Sequence, residues 1–370
     1  MNTLLRITLP LLFATSTALA DNGTPAALDD GWKVADAGKL GWNTGLFESA
    51  GKKIADGTWK GTTSLLVAHK GQLIHESYYN EGSLEHLNDT RSLTKTVTAM
   101  LVGAAIDRDL IASVDERVFD AFKDRPAPKN PDPRKNAITL EDLLTMSSLL
   151  ECNDENQFSS GNEERMYVTE DWIGFVLDLP IKGFAPWDTK PSDSPHGRSF
   201  AYCTAGSFLL GAVIERASGK RLGEFSAEVL EAPLGIDRVQ WNQAPDGTGI
   251  GGGGTRFRSR DLAKLGELLR KGGEWNGQRV LPKDWVDRML TVRAQARDDA
   301  DYGYQIWKFR FARKGKQVDT WAMAGNGGNY VFIAPSLDLV AVVTSTAYNQ
   351  RFAHPQSQQI FSEIVLEAMP

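Results

Sequence analysis

A serine and a lysine stand one helical turn apart in the stretch Ser92-Leu93-Thr94-Lys95. A polar loop gives way there to an apolar-periodic segment, which predicts a helix beginning at or just before Ser92. Residues three apart on a helix share a face, so the Lys95 amine can reach the Ser92 oxygen. Burial favours a neutral lysine, which can then act as a base and activate the serine as a nucleophile. The same tetrapeptide also fits a capping serine followed by a solvated lysine.

Other arrangements in the chain resemble sites but lack their context. Gly249, Gly251 and Gly254 match a dinucleotide-binding spacing, yet no strand–helix–strand unit surrounds them. His75 and Glu76 adjoin on a predicted strand and point to opposite faces, so they do not converge on a metal. We therefore expect no metal and no cofactor.

A Ser-His-Asp triad and a glycosidase pair are also disfavoured. The chain has five histidines but no G-x-S-x-G motif. Acidic residues of the polar 151–200 region, such as Glu163 and Glu164, are predicted to be solvated. Five tryptophans fit either an apolar substrate pocket or the core: Trp172, Trp187, Trp241, Trp307 and Trp321.

Composition and charge describe a globular protein. The chain has 370 residues, of which 41% are hydrophobic and 24% charged, and it can bury a large core as one big domain or two intimate ones. A formal charge of −6, without a Lys/Arg cluster, argues against nucleic acid as a main partner. A small-molecule substrate is the expected partner.

The first twenty residues have the features of a targeting segment. Arg6 precedes an apolar run, and Ala18-Leu19-Ala20 forms a small-x-small cleavage site before Asp21. The run is too short to span a bilayer. We expect residues 1–20 to be a signal peptide and the mature protein to be periplasmic or secreted, without stable membrane insertion. An uncleaved anchor is the alternative.

The expected export determines the redox environment of the two cysteines, Cys152 and Cys203. An oxidising compartment favours a disulfide between them, which would stabilise the fold by roughly 4 kcal/mol in the chain-entropy model. Two free buried thiols are the alternative.

The elements alternate between β-rich ends and a helix-rich middle. Predicted strands cover 64–69 and 72–78 around the turn Lys70-Gly71, and later 302–307, 321–324, 330–333 and 339–344. Helices are predicted from Thr139, from Thr204 as N-cap to Gly219, after Arg258, and after His354.

This order predicts an α+β fold, in which one antiparallel sheet built from both termini is flanked by helices and a second lobe is helix-rich. Residues 21–370 would form one domain. Its α/β lobe would cover about 60–91 and 255–370, and its helical lobe about 92–254. The cleft between the lobes is the expected site.

Three motifs in order, Ser92-x-x-Lys95, Tyr202-Cys203-Thr204 and the 324–328 stretch Ala-Gly-Asn-Gly-Gly, support a family resemblance. From about residue 60 onward the chain resembles the serine β-lactamase and penicillin-binding-protein superfamily. Its class C β-lactamase-related branch of esterases and nylon-oligomer hydrolases is the most similar. The resemblance implies a β-lactamase/transpeptidase-like fold.

The resemblance also implies roles for individual residues. Ser92 would be the acylated nucleophile, with Lys95 and Tyr202 moving its proton. The backbone N–H groups of Ser92 and Asn326 would hold the oxyanion. Four further residues would contact substrate: Thr204, Gly325, Gly327 and Gly328.

Two departures narrow the expected substrate. Thr204 replaces the asparagine of the family's Y-x-N element, and Met323 replaces the lysine of its K-T-G triad. Loss of a cation that grips a substrate carboxylate weakens binding. We therefore expect an exported serine hydrolase that forms an acyl-enzyme on esters or small amides. The alternatives are a β-lactamase or D,D-peptidase, and a non-catalytic peptidoglycan-binding relative.

Overall fold

The structure is a computed structural model that describes residues 23–183 and 199–370. The predicted signal peptide and Trp187 lie outside these residues. The strands are β1 (Lys33–Val34), β2 (Thr62–His69), β3 (Gln72–Tyr78), β4 (Asn88–Asp89), β5 (Arg256–Phe257), β6 (Glu274–Trp275), β7 (Gln278–Arg279), β8 (Ala294–Arg297), β9 (Ala300–Tyr302), β10 (Trp307–Arg313), β11 (Lys316–Gly325), β12 (Asn329–Ala334) and β13 (Leu339–Ser345). The helices are α1 (Thr44–Ala55), α2 (Thr94–Asp107), α3 (Leu140–Leu144), α4 (Glu163–Tyr167), α5 (Trp172–Asp178), α6 (Thr204–Ser218), α7 (Leu222–Ser226), α8 (Ser259–Arg270), α9 (Lys283–Met289) and α10 (Ala353–Gln359).

Nine of these strands form one sheet, in the order β1-β3-β2-β13-β12-β11-β10-β9-β8. All neighbouring pairs are antiparallel except β1 with β3. The early strand β2 pairs with the late strand β13, so the sheet joins both ends of the described chain. The predicted α+β fold with an antiparallel sheet from both termini is confirmed.

The tight turns of the sheet follow from residues that accept a left-handed backbone. Lys70 and Gly71 have φ values of 50° and 81°, as their predicted two-residue hairpin between β2 and β3 requires. The predicted strand over 302–307 is wrong, because Gly303 donates to the carbonyl of Ile306 at 2.8 Å and turns the chain between β9 and β10.

Strand β12 shows how the two faces of the sheet are covered. Val331 lies on the face covered by α8, where a Cβ on Gly266 would come within 2.6 Å of Val331 Cγ1. The next residue, Phe332, points to the other face and stacks on Phe361 of the C-terminal helical segment at 4.3 Å. Successive side chains of β12 therefore point to opposite faces of the sheet, and each face is covered by helical structure.

Helix α2 is buried along nearly its whole length, from Thr94 to Ala105. It packs against α6 and α9, and the Trp285 indole donates to the carbonyl of Ala99 at 3.1 Å. This uniform burial holds the first turn of α2 rigidly. Across the described ranges, no helix is both long and apolar enough to cross a membrane.

Helix α6 differs from its prediction at one end only. It begins at Thr204 itself, so the prediction of Thr204 as N-cap is wrong: Cys203 holds that position, in an extended conformation. Its C-terminal stop at Gly219, with φ of 68°, is confirmed. The polar 151–200 region also contains two short helices, α4 and α5.

Candidate active site

Ser92 and Lys95 lie at the buried start of α2. Ser92 belongs to a single 3₁₀ turn over Arg91–Leu93, and Lys95 lies in the first turn of the α-helix that continues from it. Lys95 Nζ is 2.9 Å from Ser92 Oγ, and it donates to the Gly252 carbonyl at 2.5 Å. The lysine is 1% exposed, which excludes the alternative of a solvated lysine.

The protonation of Lys95 is governed by burial and by two distant carboxylates. Burial is the larger effect and lowers the pKa of the amine, because an ammonium loses its hydration there. The negative charges of Glu163 and then Asp154 raise the pKa in part. Among the described residues, no carboxylate oxygen lies within 4.0 Å of the amine. Lys95 is therefore placed to be a neutral amine.

Tyr202 joins this pair from a segment more than a hundred positions away. Its ring centroid is 5.0 Å from Lys95 Nζ, and the ring stacks on Trp307 of β10 at 5.6 Å. Burial raises the pKa of the Tyr202 phenol, while its interaction with Ser92 acts in the opposite direction. The phenol is therefore held neutral beside the Ser92–Lys95 pair.

The end of β11 approaches the Ser92 turn closely. A Cβ on Gly325 would lie 2.0 Å from the Thr90 carbonyl oxygen and 3.2 Å from the Leu93 nitrogen. Only glycine permits this approach. Asn326 follows it, with its side chain tied to Asn349 by two hydrogen bonds of 2.6 and 2.8 Å.

The backbone amides of Ser92 and Asn326 are open donors in this arrangement. Within residues 23–183 and 199–370, neither N–H donates a hydrogen bond to another protein group. Two such donors on adjoining segments can serve a developing oxyanion.

The other predicted substrate contacts lie against protein groups. A Cβ on Gly327 would meet the Tyr348 ring at 2.7 Å, and one on Gly328 would meet the Ala353 carbonyl at 2.6 Å. Both have a positive φ, so the tight turn after β11 accounts for these glycines. Thr204 is 1% exposed, and its hydroxyl oxygen has no hydrogen-bond partner in the part of the chain that is described.

The Cys152–Cys203 disulfide is present, with the two Cα atoms 5.4 Å apart. It joins the segment after α3 to the residue next to Tyr202. The alternative of two free thiols is therefore excluded by the structure.

One acidic residue near the site, Glu163, is less exposed than the sequence predicts. The prediction that Glu163 is solvated is wrong: its side chain is half-buried and its charge raises the pKa of Lys95, whereas Glu164 is exposed as predicted. The fold brings Glu163 and Lys95 together from distant segments, and the hydrophobic periodicity of the sequence does not predict such an approach. Met323, which replaces the family's lysine, is fully buried in β11.

The remaining sequence signals have structural roles. The loop of Gly249 to Gly254 inserts between α2 and α6, where a Cβ on Gly251 would be 2.9 Å from the Ser207 carbonyl. Trp307 packs in the core beside Tyr202. The described residues contain no group of three or more His, Cys, Asp or Glu side chains that could hold a metal.

Comparisons with known proteins identify the family of this chain. Residues 52–362 match the family model described as Beta-lactamase. The chain is 37% identical over 296 residues to a 6-aminohexanoate-dimer hydrolase from Paenarthrobacter ureafaciens, covering 77% of this chain and 72% of that protein.

Two solved structures share the fold. One, from Bacillus anthracis, is provisionally described as a 6-aminohexanoate-dimer hydrolase. It has a TM-score of 0.68 and 20% identity, and the match covers 86% of this chain and 82% of that one. The other is a family VIII carboxylesterase with a TM-score of 0.63 and 17% identity, covering 88% and 97%.

Proposed function

The chain belongs to the Beta-lactamase family and is a serine hydrolase, and on that premise we propose that it forms an acyl-enzyme on Ser92 and hydrolyses carboxylic esters or small amides. One observation carries the proposal: Ser92 Oγ lies 2.9 Å from the amine of Lys95, which is 1% exposed. A buried amine at hydrogen-bond distance from a hydroxyl is the arrangement that activates a serine.

Lys95, and not Tyr202, takes the serine proton in this mechanism. Burial lowers the pKa of Lys95 and raises that of Tyr202, so the lysine loses its proton first as the pH rises. The neutral amine accepts the hydroxyl proton while Ser92 Oγ bonds to the substrate carbonyl carbon. The carbonyl electron pair moves onto oxygen, and the resulting oxyanion accepts hydrogen bonds from the amides of Ser92 and Asn326.

Collapse of this intermediate breaks the bond to the leaving group. The Tyr202 phenol donates its proton to the departing oxygen or nitrogen and regains one from the Lys95 ammonium. Water then attacks the acyl carbon and gives a proton back through the same groups, which frees Ser92 and releases the acid. Every proton is thus returned at the end of the cycle.

Two observations support linear esters and amides as the substrate class. Met323 offers no charge at the position where the family's lysine grips a carboxylate. The relative from Paenarthrobacter is named for hydrolysis of a linear amide dimer. We therefore expect linear esters and amides to be better substrates than β-lactams or D-Ala-D-Ala peptides.

The first test is the intact mass of the protein after treatment with a fluorophosphonate probe. We expect one adduct on the wild type, none on Ser92→Ala, and slow labelling of Lys95→Ala. An ester and amide panel, with nitrocefin included, then measures substrate preference. Steady nitrocefin turnover would favour a β-lactamase, whereas a folded wild type that is never labelled would leave a non-catalytic, peptidoglycan-binding protein.

We also propose that residues 1–20 direct export and are removed. The Cys152–Cys203 disulfide supports this, because disulfides persist in oxidising compartments. The mass of the protein recovered from the periplasm or medium should correspond to a chain beginning at Asp21. A chain that retains Met1 would contradict the proposal.

A further inference from the structure

Two half-buried carboxylates, Asp154 and Glu163, follow Cys152 in the chain. Resting on the proposed function, we propose that Asp154 and Glu163 are positioning residues. Their negative charge strengthens Lys95 as a base, and Asp154 also fixes the backbone that carries Tyr202.

Asp154 holds the chain on both sides of Tyr202. Its backbone N–H donates to the Tyr202 carbonyl at 2.9 Å, and its Oδ2 accepts the N–H of Thr204 at 2.6 Å. The Cys152–Cys203 disulfide lies between these two bonds. The 152–154 and 202–204 segments are therefore joined at three successive positions, which fixes where the phenol stands.

The second carboxylate oxygen of Asp154 binds the backbone of Glu163. Oδ1 accepts the N–H of Glu163, the first residue of α4, at 2.9 Å. Both oxygens of Asp154 thus accept from backbone donors, and an asparagine at this position could accept only one of the two bonds. The Glu163 carboxylate itself accepts from the Tyr167 hydroxyl at 2.8 Å.

Both residues bring a carboxylate to the site, and burial, followed by the Glu163 charge, raises the pKa of Asp154. The groups that face Lys95 are Ser92 Oγ, the Gly252 carbonyl, the Tyr202 ring and the charges of Glu163 and Asp154. Burial lowers the pKa of Lys95, and the two charges raise it again in part. Both charges also raise the pKa of Tyr202, after burial as the main cause.

Lys95 must be neutral before it takes the serine proton and positively charged afterwards, and two carboxylates at a distance suit both states. A carboxylate in direct contact would keep the lysine protonated, and a wholly apolar wall would make its ammonium too costly in the transition state. In the described chain neither carboxylate is within 4.0 Å of the amine, yet both act on it. They stabilise the ammonium that forms when the serine proton arrives, without holding the amine protonated beforehand.

The test follows the rate of fluorophosphonate labelling of Ser92 from about pH 5 to about pH 10. Glu163→Gln removes the charge and keeps an oxygen for Tyr167. Because the carboxylate raises the pKa of Lys95, its loss should move the acid limb of the profile to lower pH. The weaker base should also reduce the plateau rate by about threefold to tenfold.

Two further variants separate charge from position. Glu164→Gln is the matched control, one residue further along and exposed, and it should leave the profile unchanged. Asp154→Asn should show the same shift, a larger loss of plateau rate than Glu163→Gln, and a lower melting temperature. Glu163→Gln keeps the proposal testable even if Asp154→Asn does not fold.

The outcomes are distinct. An acid limb that stays in place in folded Glu163→Gln, or moves to higher pH, would overturn the inference while leaving the proposed function intact. A wild type that is not labelled on Ser92 at any pH would overturn the proposed function, and the inference with it.

Discussion

Gly325→Ala tests the close approach of β11 to the Ser92 turn. The new Cβ would lie 2.0 Å from the Thr90 carbonyl oxygen, 3.1 Å from the Thr90 carbonyl carbon and 3.2 Å from the Leu93 nitrogen. All three atoms belong to the backbone, so no side chain can rotate away. The strand end and the turn must therefore separate by about 1 Å or more before the contact becomes an ordinary one.

That separation moves the amide of Asn326 away from the amide of Ser92. A misplacement of about 1 Å can cost about a hundredfold in rate, which corresponds to about 2.7 kcal/mol of transition-state stabilisation. Removal of one oxyanion donor costs a similar amount. We expect the labelling of Ser92 to slow by about a hundredfold, with a melting temperature lower by several degrees because backbone segments are forced apart.

The assay compares labelling rates at one pH for wild type, Gly325→Ala and Gly51→Ala. Gly51 lies in α1, where a Cβ would meet the Tyr79 ring at an ordinary 3.6 Å, so its alanine variant should keep the wild-type rate. Circular dichroism establishes that each variant is folded. A folded Gly325→Ala that labels within about threefold of wild type would refute the argument that this approach sets the oxyanion site.

Three further perturbations have expected outcomes. Trp307→Ala removes the ring that stacks on Tyr202 and should slow the labelling of Ser92 by about tenfold or more. Trp307→Phe should restore part of that rate, and a Trp307→Ala variant that labels at the wild-type rate would exclude a positioning role for Trp307. Replacing Cys152 and Cys203 together by alanine opens a loop with a sequence separation of 51 and should lower the free energy of unfolding by about 4 kcal/mol in chemical denaturation, and an unchanged midpoint would contradict this. Burial lowers the pKa of His75 from 6.5 to about 4, so the unfolded chain binds this proton at a higher pH than the folded chain does. The free energy of unfolding should therefore fall by about 3 kcal/mol as the pH drops from 6.5 to 4. His75→Gln should remove that part of the decline in melting temperature, and an unaltered pH profile would exclude His75 as its source.

The prediction for Glu163 and Glu164 shows where sequence reasoning stops. Both are acidic residues in a polar region, and the sequence predicts that both are solvated. The structure leaves Glu164 exposed but half-buries Glu163, whose backbone N–H donates to Asp154 Oδ1 at 2.9 Å. A carboxylate acts on a distant lysine through distance and burial, and neither quantity is written in local sequence.

The sequence alone determined the features that depend on short-range geometry. The three-residue spacing of Ser92 and Lys95 sets their contact, since one helical turn aligns them. Lys70-Gly71 sets the first hairpin, since its backbone must be left-handed. The strand predicted over 330–333 requires successive residues such as Val331 and Phe332 to point to opposite faces of the sheet, as they do.

Only the tertiary structure decided what surrounds the nucleophile. Tyr202 is held beside Ser92 by two separate parts of the chain: the 152–154 segment, through a disulfide and a hydrogen-bonded aspartate, and Trp307, whose ring stacks on the phenol. Gly325 is required by a backbone on another segment, not by its own strand. Desolvation and Coulomb interactions depend on which distant groups pack together, so the strength of the base was fixed by packing and not by spacing.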